Sequence, residues 1–433
     1  MLTHPRLVRG LALLHLLPAV PVSAAVGDAR VQELDAEVGR LARRASVAAA
    51  LRAGADEEPR VLAWQETVAA IPAPTGDEGA RARWLQRQFE ILGLEEIGID
   101  GTGNVVAELP GGRDRPRALV TAHLDHIFPP GTDLTPRREG SRLIGPGIHD
   151  NARGVAVMLA AVAALSRVDP DLRGPVVFAG TVGEEGLGDL RGMKALFAGG
   201  PGRSADYVVN VDGAGLDRVV TRGLGSRRYR VTYRGPGGHS WNDFGTPNPA
   251  NALGRAVSRI AALPLPAQPR TSVTVGRLAG GTSINAIPQE AWFEADLRSE
   301  DAATLREVER AFTDAIVAAL REERAVRGEG QGRLEMDVEL VGDRPAGALR
   351  PNALLARAAR AVTRRFGVEP VQAVSSTDAN VPLSMGVEAV SLGGGGVGGR
   401  SHTLEEWFDP VAGRNGIERL VLLLLLLAEV DAD

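Results

Sequence analysis

Apolar residues recur along this chain in alternating helical and strand-like rhythms, and the order of those rhythms changes twice. Val31, Leu34, Val38 and Leu41 fall at helical spacing with charges between them, which predicts an amphipathic helix. Val61 to Ala70 predicts a second helix, ended by Pro72 and Pro74. A third starts at Asp77, sets Leu85, Phe89 and Leu92 on one side, and closes at Gly93. Asn104 to Leu109, Ala118 to Ala122, Pro175 to Gly180 and Tyr207 to Val211 are short apolar runs that predict strands. Small residues from Gly154 to Leu165 predict a closely packed helix. Strands alternating with helices predict an α/β domain around a largely parallel sheet, and such sheets gather ligands beyond the carboxyl ends of their strands.

The order changes after about Asp217. Arg228 to Arg234 alternates like a half-buried strand, Pro249 to Ala262 is helical, and Ser272 to Leu278 and Glu290 to Leu297 are strands. A long helix over Ala302 to Arg321 and a strand over Leu334 to Val341 complete the unit. Strand-helix-strand-strand-helix-strand is the split βαβ pattern of a small ferredoxin-like domain. The α/β pattern resumes near Ala346, with a helix from Asn352 to Phe366. The expected organisation is therefore a catalytic domain in two pieces, 26–217 and 343–433, with an α+β lid or dimerisation domain inserted over 218–342. The glycine run Gly393 to Gly399 lacks the lysine and the helix of a phosphate loop, and reads instead as a mobile loop that delivers His402.

Composition narrows the chemistry. The chain has no cysteine, so disulfides and thiolate metal sites are excluded. Any metal must be held by histidine and carboxylate, which suits zinc or a similar cation. The formal net charge is -5 and Lys194 is the lone lysine, which argues against nucleic acid as a partner. Arg6 and Arg9, then the apolar stretch Leu11 to Val22, then Ser23 to Ala25 form a basic-apolar-small pattern. That pattern predicts a cleavable export signal over 1–25, hence a periplasmic or secreted protein with no stable membrane anchor after cleavage. The apolar run Leu420 to Leu427 is short and predicts a buried terminal helix rather than a span.

Five polar segments lie just after strands or in connecting loops. His123 and Asp125 are two apart after an apolar strand. Alternate residues of an extended segment point the same way, which lets Asp125 orient His123. Asp150 follows a Gly-Pro-Gly loop and precedes a helix, so it reads equally as a helix N-cap and as a ligand. Glu184 and Glu185 follow a buried strand between Gly183 and Gly186. Adjacent carboxylates repel, and a cation beside them relieves that; a solvated acidic turn is the plainer reading. Asp212 ends the buried run YVVNV, where a charge needs a partner. His402, in RSHTLEEW, taken by itself reads more readily as a structural or surface histidine than as a ligand. His149 reads as a loop residue and His126 as surface.

Taken in order, these segments, together with IPAPTGDE, GPGGHS, GTSINAIP, ADLRSED and STDAN, resemble the di-zinc exopeptidase and deacylase family. That family includes peptidase T, carboxypeptidase G, succinyl-diaminopimelate desuccinylase, acetylornithine deacetylase and aminoacylase. The similarity runs from about Ile71 to Asp409. It implies two zinc ions, with cobalt or manganese as substitutes. His123, Asp150 and Asp212 would hold one ion, and Asp150 would bridge to a second held by Glu185 and His402. Asp125 would support His123, and Glu184 would be the general base. His239 would stabilise the oxyanion, reaching the site across a homodimer in many relatives. Asn285 and Arg298 match positions that bind a substrate carboxylate, although Arg298 also has Asp296 and Glu300 as salt-bridge partners. The block STDANVPLSMG with HTLEEW is similar to the peptidase T-like branch, and aspartate at 212, found in relatives that are aminopeptidases, aminoacylases or dipeptidases, leans towards peptides without deciding. The implied activity is hydrolysis of short peptides from one end, as an aminopeptidase or dipeptidase. The alternatives are an N-acyl-amino-acid deacylase and an inactive binding module; the latter would have lost ligands or the base, and none is lost.

Overall fold

The computed structural model describes residues 33–112, 117–168, 172, 174–327, 332–350 and 352–429. The expected export signal lies outside these described residues. Helix α1 (33–41) is followed by α2 (Ala45–Asp56), α3 (Glu58–Ala70) and α4 (Gly79–Leu92). Gly93 closes α4 in a left-handed conformation with φ 78, a position that only glycine takes without strain. Then come β1 (Glu95–Ile99), β2 (Val105–Leu109), β3 (Ala118–His123), β4 (Arg137–Glu139), β5 (Arg142–Ile144), α5 (Ala152–Val168), β6 (Val176–Thr181), α6 (Arg191–Ala198), β7 (Tyr207–Val211) and β8 (Arg218–Gly223).

The inserted unit contains β9 (Gly225–Arg234), β10 (Gly238–His239), α7 (Pro249–Ala261), β11 (Thr271–Gly280), β12 (Ala286–Ile287), β13 (Glu290–Ser299), α8 (Ala302–Arg327) and β14 (Glu335–Arg344). The chain ends with β15 (Gly347–Ala348), α9 (Leu354–Arg364), β16 (Val371–Ser375), α10 (Asn380–Ser384), β17 (Glu388–Leu392), β18 (Val397–Gly399), β19 (Trp407–Asp409) and α11 (Arg414–Glu429).

The large sheet has the order β1-β2-β6-β3-β7-β17-β8-β15, with β16 added beside β8. Its centre, β6-β3-β7-β17, is parallel, and antiparallel pairs flank it. Parallel central strands are covered on both faces and so are predominantly apolar; β3, β6 and β7 are buried at every position. On one face lies α5, with Val155 to Leu165 at 2% exposure or less, packed against α2, α3 and α11. Its small side chains let the helix approach closely. A Cβ on Gly154 would stand 2.5 Å from the Val211 carbonyl. The leucines of α11 complete this core, and no helix among the described residues is long and apolar enough to cross a membrane. Met193, Leu196 and Phe197 of α6, with Val381 and Leu383 of α10, cover the other face.

The inserted unit is an antiparallel sheet of order β11-β13-β9-β14 with α7 and α8 on one side. Its own core runs from Val231 to Leu334, so its apolar surface is satisfied internally. The crossover into it differs from the boundary at 218 read from the sequence. β8 pairs with β16, β17 and β15 in the large sheet, and the inserted sheet begins at Gly225 and ends at Arg344. β8 reads RVVTRG, with only two apolar residues between arginines, so it does not stand out in the sequence as a strand of the large sheet. Asn380, fully buried, donates to the carbonyls of Leu224 at 2.8 Å and Pro345 at 3.0 Å, stapling both crossovers to α10.

Candidate metal centre and cleft

Local sequence places each polar side chain at a strand end. His123 is the last residue of β3, Glu184 and Glu185 follow β6, and Asp212 follows β7. Asp150 stands just before α5. His402 comes from the far end of the chain on the turn between β18 and β19, held in a left-handed conformation with φ 66. Such a conformation is strained for a non-glycine residue; the His402 N–H donates to Glu406 at 3.3 Å.

These side chains converge. His123 Nε2 is 3.1 Å from Asp150 Oδ1 and 3.9 Å from Asp212 Oδ1. His402 Nε2 is 3.1 Å from Glu185 Oε1 and 3.4 Å from Asp150 Oδ2. Two triads share Asp150, His123-Asp150-Asp212 and Asp150-Glu185-His402, each with its ligand atoms within 4.8 Å of one another, and the group His123, Glu184 and Glu185 meets the same limit. Ligands about 2.0–2.2 Å from a tetrahedral zinc are roughly 3.3 Å apart, so the spacings and the nitrogen-oxygen donor set fit a borderline divalent cation. Asp150 presents one oxygen to each triad.

Electrostatics points the same way. Burial pushes Asp212 up to about 7, helped by the Asp150 charge. Hydrogen bonds to Asp150 and Glu185 push His402 up to about 10. Burial drives Glu184 well above the usual carboxylate range, although Arg344 and His123 oppose it. Burial lowers His123, but bonds to Asp125 and Asp150 overcome that and raise it well above the ordinary imidazole value. The cluster collects positive charge in the form of protons, a role that a bound divalent ion fills instead.

Asp125 does more than orient His123. Its carboxylate is 3.6 Å from His123 Nδ1, whose closer neighbour is the Asp125 carbonyl at 3.2 Å. The two carboxylate oxygens accept the backbone N–H groups of Glu184 and Glu185, each at 2.9 Å, and the Thr75 hydroxyl at 2.9 Å. Burial raises its pKa, but the His123 interaction and the two N–H bonds prevail and hold it at about 2. Glu78 of the IPAPTGDE segment supports the same turn by accepting Gly183 N–H at 3.1 Å.

Several residues that matter here carried no assigned role in the sequence. Glu406 is fully buried and accepts the N–H groups of His149 and Asp150, both at 2.9 Å, so it ties the ligand turn at 150 to the loop of His402. The adjacent acidic pair in HTLEEW was its only signal. Arg344, at the end of β14, is 3.3 Å from Glu184 Oε1 and 3.1 Å from Ser376 Oγ. Its signal was a lone arginine where the inserted unit ends. His126, expected at the surface, is 2% exposed; it packs against Phe128 and its Nε2 accepts Ala73 N–H at 3.1 Å. His149 is buried, with Nε2 2.8 Å from Ser401 Oγ. The glycine run is packed rather than loose. A Cβ on Gly393 would lie 2.2 Å from the Ala214 carbonyl, and β18 is hydrogen-bonded to β19.

Asp150, Glu185, Asp212 and His402 line a cleft of about 470 Å³ between the large domain and the inserted unit. Arg298 lines it too, while its Nε holds Asp296 at 2.7 Å, so the salt bridge and the cleft position coexist. His239 and Asn285 do not line it. His239 lies on the β10-β12 ladder opposite Ala286, and Asn285 just precedes β12, where its carbonyl accepts Ser240 N–H at 2.9 Å; both are exposed. One chain therefore does not bring them to the ligands.

An α/β domain with acidic and histidine ligands at its strand ends and an inserted lid defines a metal-dependent hydrolase fold. Residues 119–426 match the profile of Peptidase family M20/M25/M40, and the chain belongs to that family, a family of hydrolases acting on peptide bonds. The uncharacterized protein YqjE of Bacillus subtilis is 25% identical over 353 residues, 77% of this chain and 90% of that protein. The fold is similar to that of aminopeptidase PepT from Bacillus cereus, with TM-score 0.68, 22% identity, and coverage of 86% of this chain and 99% of that one. It is also similar to a tripeptidase from Staphylococcus aureus, with TM-score 0.71, 21% identity and coverage of 86% and 99%.

Proposed function

We propose that this protein is a two-zinc exopeptidase that removes one residue from the end of short peptides, with Glu184 as general base. The observation that carries the reading is Asp150, whose Oδ1 faces His123 at 3.1 Å and whose Oδ2 faces His402 at 3.4 Å. A carboxylate presenting one oxygen to each of two ligand sets is suited to bridging two ions. Bound there, the ions would acidify a water and polarise the scissile carbonyl. Glu184 takes the water's proton and returns it to the leaving nitrogen. Arg344 fixes one Glu184 oxygen and leaves the other for that exchange. Arg298 anchors the substrate carboxylate through its terminal nitrogens. His239 lies on the exposed ladder, which favours a second copy of the chain as the route by which it reaches an oxyanion.

The test uses zinc-loaded protein with a free dipeptide, a free tripeptide and their N-acetylated forms. Release of the N-terminal residue from free peptides alone is expected. Cleavage of blocked substrates alone moves the protein to the deacylases and leaves the metal geometry standing. Glu184→Gln should retain both zinc ions and lose about 10²- to 10⁴-fold in turnover; normal turnover removes Glu184 as the base.

A further inference from the structure

Three of the ligands have sequence neighbours that meet at one imidazole. His149 precedes Asp150 and lines the cleft, yet only 9% of it is exposed. Its ring lies in a slot made by two glycines. A Cβ on Gly398 of β18 would stand 2.8 Å from the ring carbon Cγ, and one on Gly213 would stand 3.5 Å from Nδ1. Gly213 follows Asp212. The other ring nitrogen, Nε2, is 2.8 Å from the hydroxyl of Ser401, which precedes His402. Nδ1 is buried and has no partner among the described residues, so the Ser401 bond is the one that orients the ring.

His402 depends on such support more than the other histidine ligand does. Its side chain is 50% exposed, against 1% for His123, so packing of its own ring does not fix it. Its backbone is left-handed, and so is that of Arg400, with φ 66 and 58. Strained non-glycine residues on either side of Ser401 keep that shape only where their surroundings over-determine it. The His402 N–H bond to Glu406 Oε2 is long at 3.3 Å. The shorter Ser401–His149 bond is therefore the firmer tie between the turn of Asp150 and the residue beside His402. Asp212 is held independently. Its N–H donates to the Leu392 carbonyl at 2.9 Å, and the Gly213 N–H donates to Asn151 Oδ1 at 3.1 Å.

We propose that His149 is a positioning residue for one of the two ions: through Ser401 it holds His402 in register with Asp150 and Glu185. This rests on the two-ion reading above, but not on which amide is cleaved. Only the Asp150-Glu185-His402 triad contains His402, so loss of the tie weakens that ion and spares the one held by His123, Asp150 and Asp212.

The direct test is calorimetric zinc titration of the metal-free protein, comparing wild type with Ser401→Ala, His149→Leu and His149→Gln. Ser401→Ala and His149→Leu should each weaken one zinc equivalent about 10- to 100-fold and leave the other as in wild type. The weakened equivalent should be the one lost in His402→Ala. The double variant should bind no more weakly than the weaker single, since both changes remove one bond. Glutamine, whose amide N–H can reach the Ser401 hydroxyl, should recover most of the affinity, which a mere need for packing volume would not grant it over leucine. Ser401 is exposed, so Ser401→Ala should keep the metal-free Tm, and it decides the matter if His149→Leu does not fold. Wild-type affinity for both equivalents in Ser401→Ala overturns the proposal, and so does equal weakening of both. A wild-type protein that takes up only one zinc refutes the two-ion reading and this proposal with it, whereas two equivalents in both wild type and Ser401→Ala, with unchanged affinities, refute the proposal alone.

Discussion

Asp125→Asn is a sharp perturbation because it changes one atom and no volume. The Asp125 carboxylate accepts Glu184 N–H on Oδ1, and Glu185 N–H and the Thr75 hydroxyl on Oδ2, with His123 Nδ1 3.6 Å from Oδ1. Asparagine supplies one acceptor oxygen. An amide nitrogen at the Oδ1 position faces two N–H groups, from Glu184 and His123. At the Oδ2 position it faces only Glu185 N–H, because the Thr75 hydroxyl can turn and accept. The second orientation is cheaper, yet it leaves one buried N–H unpaired at about 1–3 kcal/mol and removes the charge-assisted part of the His123 interaction. The sum is roughly 2–4 kcal/mol, below the 5–15 kcal/mol stability typical of a folded domain, so the variant folds. Its cost appears where the turn carrying the base and a ligand is released. Zinc affinity should fall about 10- to 100-fold, measured by competition with a chromophoric chelator, and kcat should fall with it at saturating zinc. Wild-type zinc affinity together with wild-type kcat would refute the argument that Asp125 holds the Glu184-Glu185 turn.

Three further outcomes follow from the structure. Burial and the Arg81 charge lower the His126 pKa from 6.5 to about 4, so the unfolded chain binds the extra proton between those values and stability falls as pH drops from about 6.5 to about 4. The loss attributable to His126 is about 3 kcal/mol; urea melts of wild type and His126→Gln across that window should diverge, and parallel pH profiles would refute it. Asn380→Ala removes the donors to Leu224 and Pro345, costs about 2–4 kcal/mol, and should expose both crossovers to limited proteolysis; unchanged stability and cleavage would show that the staple is idle. Chelation should lower Tm and added zinc restore it with a concentration dependence set by mass action; a Tm indifferent to zinc would mean that the clustered ligands bind no ion in the folded state.

Much of this was legible in the sequence, for identifiable reasons. β3, β6 and β7 are mostly apolar and buried at every position because both faces of the central sheet are covered, and a site residue stands at the end of each or within a few residues beyond it. The inserted unit announced itself by a change from continuous apolar runs to alternation. Its entry point was set too early because β8, near the edge of the large sheet, has only Val219 and Val220 as apolar residues between two arginines and lacks the long apolar run of the central strands. Glu406, Glu78 and Arg344 were invisible for a different reason. Their role is to satisfy backbone N–H groups or a charge brought to them by the fold, and no local spacing encodes a partner 257 residues away, as between His149 and Glu406. The burial of His126 was hidden likewise, since its neighbours Ala73 and Arg81 come from another segment.

The same long-range contacts connect the base to the inserted unit. Glu184 is held from the large domain through Asp125 and from the far side through Arg344, the last residue of β14. Arg344 immediately precedes Pro345, one of the two carbonyls stapled by Asn380. Rotation of the inserted unit about those crossovers moves Arg228 and Arg298 with their strands, yet leaves Arg344 close to the pivot. Arg298 thus travels with its strand, while Arg228 is bonded to the Gly186 carbonyl of the large domain and the arginine beside the base stays in register with it. Closure of the cleft can then change what the substrate meets without disturbing Glu184. It follows that loosening the staple should raise KM before it lowers kcat, whereas replacing Arg344 should do the reverse.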